Sequence, residues 1–182
     1  MVTALTLAAW FVFWAGSTRA LGGGSSLSEY EIKSLFLLNF AKYVDWPSSA
    51  FSAAGTPIVI CVSDEDDIGS DLAETVEGKS VDGRPIRVQR IRAWGDLDKC
   101  HILFIGASEK SRLADILNRV RGKAILTVGE TDQFMEQGGA INFVNKEGKI
   151  RLEINMDATH QAALHVSSKL LNVADVVRGK PR

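Results

Sequence analysis

Apolar residues crowd nearly every side of the segment Ile32-Lys-Ser-Leu-Phe-Leu-Leu-Asn-Phe-Ala-Lys-Tyr-Val-Asp-Trp-Pro47. The spacing predicts one helix, with Ile32, Leu35, Phe36, Phe40, Tyr43 and Val44 as a core-facing stripe. Leu37, Leu38 and Ala41 widen that stripe beyond the usual arc of about 100°. A helix so apolar must be covered, by its own domain or by a partner. Ser28 and Glu31 stand in the Ser-x-x-Glu spacing that satisfies the free amides of a first turn, and Pro47 forbids continuation at the other end.

Beyond Pro47 the apolar pattern alternates between two periods. Pro57 to Val62 is a short β-branched run, as in a strand covered on both faces. Asp67 to Glu77 carries Ile68, Leu72, Ala73 and Val76 at helical spacing, with Gly78 as a left-handed cap. Val81-Asp-Gly-Arg-Pro85 is turn chemistry before a strand, Ile86 to Ile91. Arg84, Arg87, Arg90 and Arg92 mark it as a charged sheet edge that resists self-pairing. His101 to Ile105 reads as a covered strand, Ser108 to Val120 as a helix with Leu113, Ile116, Leu117 and Val120 inward, and Ala124 to Val128 as a third apolar strand. A short helix is expected near Asp132 to Glu136, and Gly138-Gly139 serves a tight turn. Ile141 to Ile154 alternates about the turn Asn145-Lys-Glu-Gly148, a β-hairpin with one buried face. A last helix is expected from Asp157 to Val173, bent near Val166 to Ser168. Strand–helix alternation with short connections predicts an α/β single domain, with a mainly parallel sheet flanked by helices, a C-terminal β-hairpin and a final helix.

The opening helix is similar to that of the YfiR family, which carries a Leu-x-Asn-Phe-Ala-Lys-aromatic-Val-acidic-Trp-Pro signature, here Leu37 to Pro47. Further pieces resemble the family in the same order: Ile60-Cys-Val62, Gly78 to Pro85, Cys100 to Gly106, Ile125-Leu-Thr-Val128, Gly138 to Phe143, Leu152-Glu-Ile-Asn155 and Ser167 to Leu171. The resemblance runs from about Glu29 to Val173. It implies a periplasmic regulator, not an enzyme, that binds the periplasmic part of an inner-membrane diguanylate cyclase, or another envelope protein, and lowers cyclic di-GMP.

Val2 to Ala15 is an apolar run too short to span a bilayer, and Thr18-Arg-Ala20 offers small residues for a signal peptidase. Residues 1–20 are therefore expected to be a signal peptide, 21–27 a flexible spacer, 28–175 the folded domain and 176–182 a flexible tail. No Lys or Arg precedes the apolar run, so an uncleaved anchor is the alternative. Cleavage after Ala20 leaves 162 residues and, with Arg19 removed, takes the net charge from -1 to -2. A chain so near neutral is no nucleic-acid binder.

Cys61 and Cys100 are the two cysteines. A lone pair in an oxidising compartment is more often a disulfide than two thiols, and family members that match pair these positions; two buried thiols are the alternative. Adjacent parallel strands paired flush would hold the two too far apart for the Cα separation of about 4.4 to 6.8 Å that the bond needs. The expectation is therefore a staggered register or a different strand order.

No catalytic unit, metal site or cofactor site is read. Asp64-Glu-Asp-Asp67 lies where an α/β fold places metal ligands, yet no phosphoacceptor or lysine follows the later strands. A solvated helix start accounts for it. Gly106-Ala-Ser108 lacks the glycines and lysine of a phosphate loop. His160 and His165 point to different helix faces, His101 stands apart, and Ser167 and Ser168 lack a nucleophile elbow. The candidate partner-binding residues are Phe36, Phe40, Tyr43 and Trp46, core residues first; the same helix leaves room for a homodimer. The alternative function is a periplasmic small-molecule-binding sensor subunit, with a pocket at the strand carboxyl ends near Ser63, Gly106 and Gly129.

Overall fold

Ser28 caps the first helix as its spacing demands. Its hydroxyl accepts the Glu31 amide at 3.0 Å while the Glu31 carboxylate accepts the Ser28 amide. Helix α1 (Glu29–Tyr43) then runs into the short strand β1 (Val44–Asp45). The structure, a computed structural model, describes residues 27–92, 94 and 97–177. The expected signal peptide, most of the spacer and residues 178–182 lie outside them.

The remaining elements are β2 (Ile58–Ser63), α2 (Ile68–Val76), β3 (Ser80–Val81), β4 (Arg84–Ile91), β5 (Ile102–Ile105), α3 (Leu113–Val120), β6 (Leu126–Gly129), β7 (Ile141–Lys146), β8 (Lys149–Asn155), α4 (Met156–Gln161), β9 (His165–Val166), α5 (Ser168–Leu171) and β10 (Asp175–Val177). One sheet has the order β10-β8-β7-β6-β5-β2-β4-β3, and β1 pairs with β9 apart from it. Strands β4, β2, β5, β6 and β7 run parallel; β8 returns antiparallel as a hairpin and β10 adds a parallel edge. This is the single-domain α/β architecture of the sequence reading. Strand β10 ends at Val177.

Side chains alternate between two cores. On one face Ile58, Ile60, Val62, Ile102, Phe104, Leu126 and Val128 meet α1, α2 and the C-terminal helices. On the other, Cys61, Leu103 and Ile105 meet α3 and Phe134. The two hairpins turn on residue pairs with positive φ, Asp82-Gly83 and Glu147-Gly148, which suits the tight turns that twisted strands require.

Three expectations need correction. The first is the rotation of α1: Leu35 is 43% exposed, and the buried side is Lys33, Ser34, Leu37, Leu38, Phe40 and Ala41. The stripe is turned by about one residue, or roughly 100°. Second, the stretch from Asp132 to Glu136 forms turns, not a helix. Its Phe134 is wedged so closely between Gly129 and Gly139 that a Cβ at either would collide with the ring. Third, the last helix is broken. Ala163 takes φ +54°, the chain leaves the helix, and Val166 pairs with Val44 before α5 restarts. A strand partner for β1 outweighs continued helical hydrogen bonding there.

Cys61 and Cys100 are disulfide-bonded with a Cα separation of 5.7 Å, and β2 and β5 are neighbours in the expected staggered register, offset by two residues with Ile60 opposite Ile102 and Cys61 opposite Leu103. The offset covers part of the distance, and the chain before β5 covers the rest. Cys100 stands before the strand, in a turn closed by its amide on the Leu97 carbonyl, and joins Cys61 in the second core. The bond closes a loop of separation 39, for which chain entropy gives about 4 kcal/mol. A Cys61→Ser, Cys100→Ser variant should lose about that much unfolding free energy in a denaturant titration. Equal midpoints for variant and oxidised wild type would refute the contribution.

Candidate functional site

In a doubly wound sheet, ligands gather at the carboxyl ends of the strands where the winding reverses. Here the reversal lies between β2 and β5, because α2 covers one face and α3 the other. That crevice is filled by the chain itself. Asp66 accepts the Ser108 hydroxyl at 3.0 Å and packs on Gly106 so tightly that a Cβ there would strike its carboxylate. Beside it, buried Glu109 accepts the Ser63 hydroxyl at 3.0 Å and pairs with Arg112 at 2.8 Å. Burial raises the Asp66 carboxyl above its ordinary pKa, with Glu130 and Glu109 adding to the rise and the Ser108 hydrogen bond opposing it.

One strand further, α1 brings Lys33 down onto the end of β6. Its side chain is 6% exposed, and its ammonium pairs with Glu130 at 2.6 Å and with Glu29 one turn back. Glu130 also accepts the Ala107 amide at 2.8 Å, so it ties α1 to the chain following β5. The ammonium lies 5.6 Å from the Tyr30 ring centre and 6.0 Å from that of Phe143, within cation–π range. Burial opposes the charge of Lys33, but hydrogen bonds to Glu130 and Glu29 prevail and its pKa stands above the ordinary lysine value. A cavity of about 260 Å³ opens beside these groups, walled by Tyr30, Phe143 and Ile150. It borders Ala107 and Glu130, next to the Gly106 and Gly129 of the sensor alternative, while the Ser63 side is closed by Glu109.

The opposite end of α1 is anchored at the amino ends of the strands. The Trp46 indole donates to the His101 carbonyl at 3.2 Å. His101 accepts the Val59 amide on Nδ1 at 3.2 Å, its Nε2 lies 3.2 Å from the Ala50 carbonyl, and its ring stacks on Phe51. Arg84 covers the other side of Phe51, 3.8 Å from the ring centre. The Nδ1 acceptor requires a neutral imidazole, with the proton on Nε2 facing Ala50. Burial lowers the His101 pKa, and Arg84 adds to the fall against the Ala50 hydrogen bond.

Of the candidate partner residues, Phe40 is wholly buried against Phe143 and has no surface to offer. Phe36, Tyr43 and Trp46 are half-buried at the rim of the same core, while Leu35 faces outward. The arginines of β4 serve the chain's own loops. Arg84 donates to the Ala53 and Thr56 carbonyls, Arg90 to those of Asp64 and Asp66, and Arg92 pairs with Asp64. Among the described residues no group of three or more His, Cys, Asp or Glu is placed to hold a metal ion.

A model of YfiR/HmsC-like proteins matches residues 30–175, which span the Lys33 cluster, the disulfide and the Trp46 anchor alike. The chain belongs to the YfiR/HmsC-like family. No curated protein matches it. Among solved structures it is similar to a conserved domain protein from Vibrio cholerae O1 biovar El Tor strain N16961, with 13% identity, a TM-score of 0.51, and coverage of 84% of this chain and 61% of that one. That likeness is one of fold, and the chain spans about three fifths of that structure's length.

Lys33 and Glu130 were not singled out in the sequence, although the signal was present. A lysine inside an otherwise apolar helix, four residues after a glutamate, requires either an exit to solvent or a buried counter-charge. For His101 the consequence is a pH effect of definite sign. The unfolded chain takes a proton near pH 6.5 and the folded one only lower, so stability is complete above about 6.5 and declines as the pH falls below it. Asp66 acts oppositely at lower pH: its raised folded pKa adds stability as the pH drops towards 3.8. Melting temperature should therefore fall between pH 7 and 5.5. In His101→Gln it should be lower at pH 7.5 and level across that interval; an unchanged slope in the variant would exclude the role.

Proposed function

We propose that the protein is an exported regulatory subunit that binds the periplasmic sensor part of an inner-membrane diguanylate cyclase and holds it in its inactive conformation, so lowering cyclic di-GMP. Membership in the YfiR/HmsC-like family over residues 30–175 carries this reading. Among the described residues no helix is long and apolar enough to cross a membrane. Regulation by contact demands only that the protein prefer one of two cyclase conformations. Moving that equilibrium from 1:99 to 99:1 takes about 5.5 kcal/mol of differential binding.

The contact face we assign is the outward side of α1, where Leu35 is exposed and Phe36 half-buried, with Tyr43 and Trp46 at its far end. Leu35 supplies apolar area on the exposed side of the helix, next to the half-buried Phe36. Leu35→Glu should leave the melting temperature within about 2 °C of wild type and weaken capture of the cyclase's periplasmic part from envelope extracts at least about tenfold, with a matching rise in cellular cyclic di-GMP. Full capture and full repression by the variant would remove α1 from the interface. Failure of the wild type to retain any cyclase would overturn the function itself.

A further inference from the structure

We infer that the cavity beneath the first turn of α1 is a binding site for a small organic cation, a primary amine or diamine. Two carboxylates, Glu29 and Glu130, face it against the single ammonium of Lys33, so its walls carry a net negative charge. At Tyr30 burial favours the protonated phenol, and Glu130, Asp67 and Asp66 add to that against the opposing charge of Lys33. An anion entering here meets two carboxylates and an ammonium already engaged by both. An ammonium meets groups that hold one already: the resident Nζ of Lys33 lies between Glu29, Glu130 and the rings of Tyr30 and Phe143.

The mouth of the cavity is the accessible part. The Glu29 side chain is 56% exposed, and among the described residues its second carboxylate oxygen accepts no hydrogen bond. A ligand ammonium takes that oxygen and the outer face of Tyr30, and its methylene chain lies along Phe143 and Ile150. The volume of about 260 Å³ lies just below the range of roughly 300 to 1,000 Å³ common for ligand pockets, which suits a molecule of few heavy atoms. Such a ligand competes with Lys33 for Glu29 and so acts on the first turn of α1, less than one turn from Leu35. The site stands independently of the cyclase reading, because its test contains no cyclase.

The experiment is a titration of the purified protein with putrescine at constant ionic strength, followed by amide NMR and calorimetry, with butyrate and 1-butanol as controls of the same chain length. The expected result is saturable putrescine binding with shifts concentrated at Tyr30, Lys33, Ala107, Glu130 and Asn145, and no saturation by either control. Glu29→Gln, at an exposed position that leaves the Ser28–Glu31 cap intact, should weaken binding about tenfold or more. Lys33→Met should tighten it severalfold, because the ligand's ammonium then replaces the missing one beside Glu130. Absence of saturation, an equal response to butyrate, or unaltered affinity in Glu29→Gln would each overturn the proposal.

Discussion

The ion pair of Lys33 with Glu130 fixes where the first helix meets the end of the sheet. Helix α1 is apolar on too many sides for its pattern alone to name the buried face, and the rotation that buries Leu37, Phe40 and Ala41 takes Lys33 out of water with them, which the counter-charge makes tolerable. Lys33 is taken out of water and meets Glu130 at 2.6 Å at the end of β6. Desolvating an unpaired ammonium costs far more than any difference between leucine positions, since breaking a buried pair typically costs about 3–5 kcal/mol. In that rotation Leu35 faces solvent.

The far end of the same helix is held by different chemistry. Trp46 donates to the backbone of His101, and β1 pairs with β9. His101 follows Cys100, whose disulfide fixes the approach to β5 across the second core. The signature Trp-Pro, the buried imidazole and the covalent link therefore form one connected anchor. Its polar groups are matched with little surplus, which makes the histidine's protonation state part of the fold.

This arrangement separates two kinds of surface. The outward side of α1 presents Leu35 between the exposed Glu31 and Lys42, whereas the end of the sheet presents carboxylates around an occupied ammonium site. Both belong to one helix whose first turn contains Glu29 and whose second contains Lys33 and Leu35.

Much of the fold was legible from local pattern alone. The Ser28–Glu31 cap, the left-handed Gly78, the turn at Asp82-Gly83 and the short apolar strands each follow from interactions within a few residues. The family resemblance also lies in the sequence, since its motifs are contiguous. The rotation of α1, the break at Ala163, the Phe134 wedge and the route of Cys100 to Cys61 were not legible, because each depends on a partner 5 to 122 positions away. So the chain by itself determined its elements, their order and its family. Only the tertiary structure decided which side of α1 is free and that Glu29, Lys33 and Glu130 meet, because the sheet that covers one of several equally apolar faces, and the counter-charge at its end, lie far along the chain.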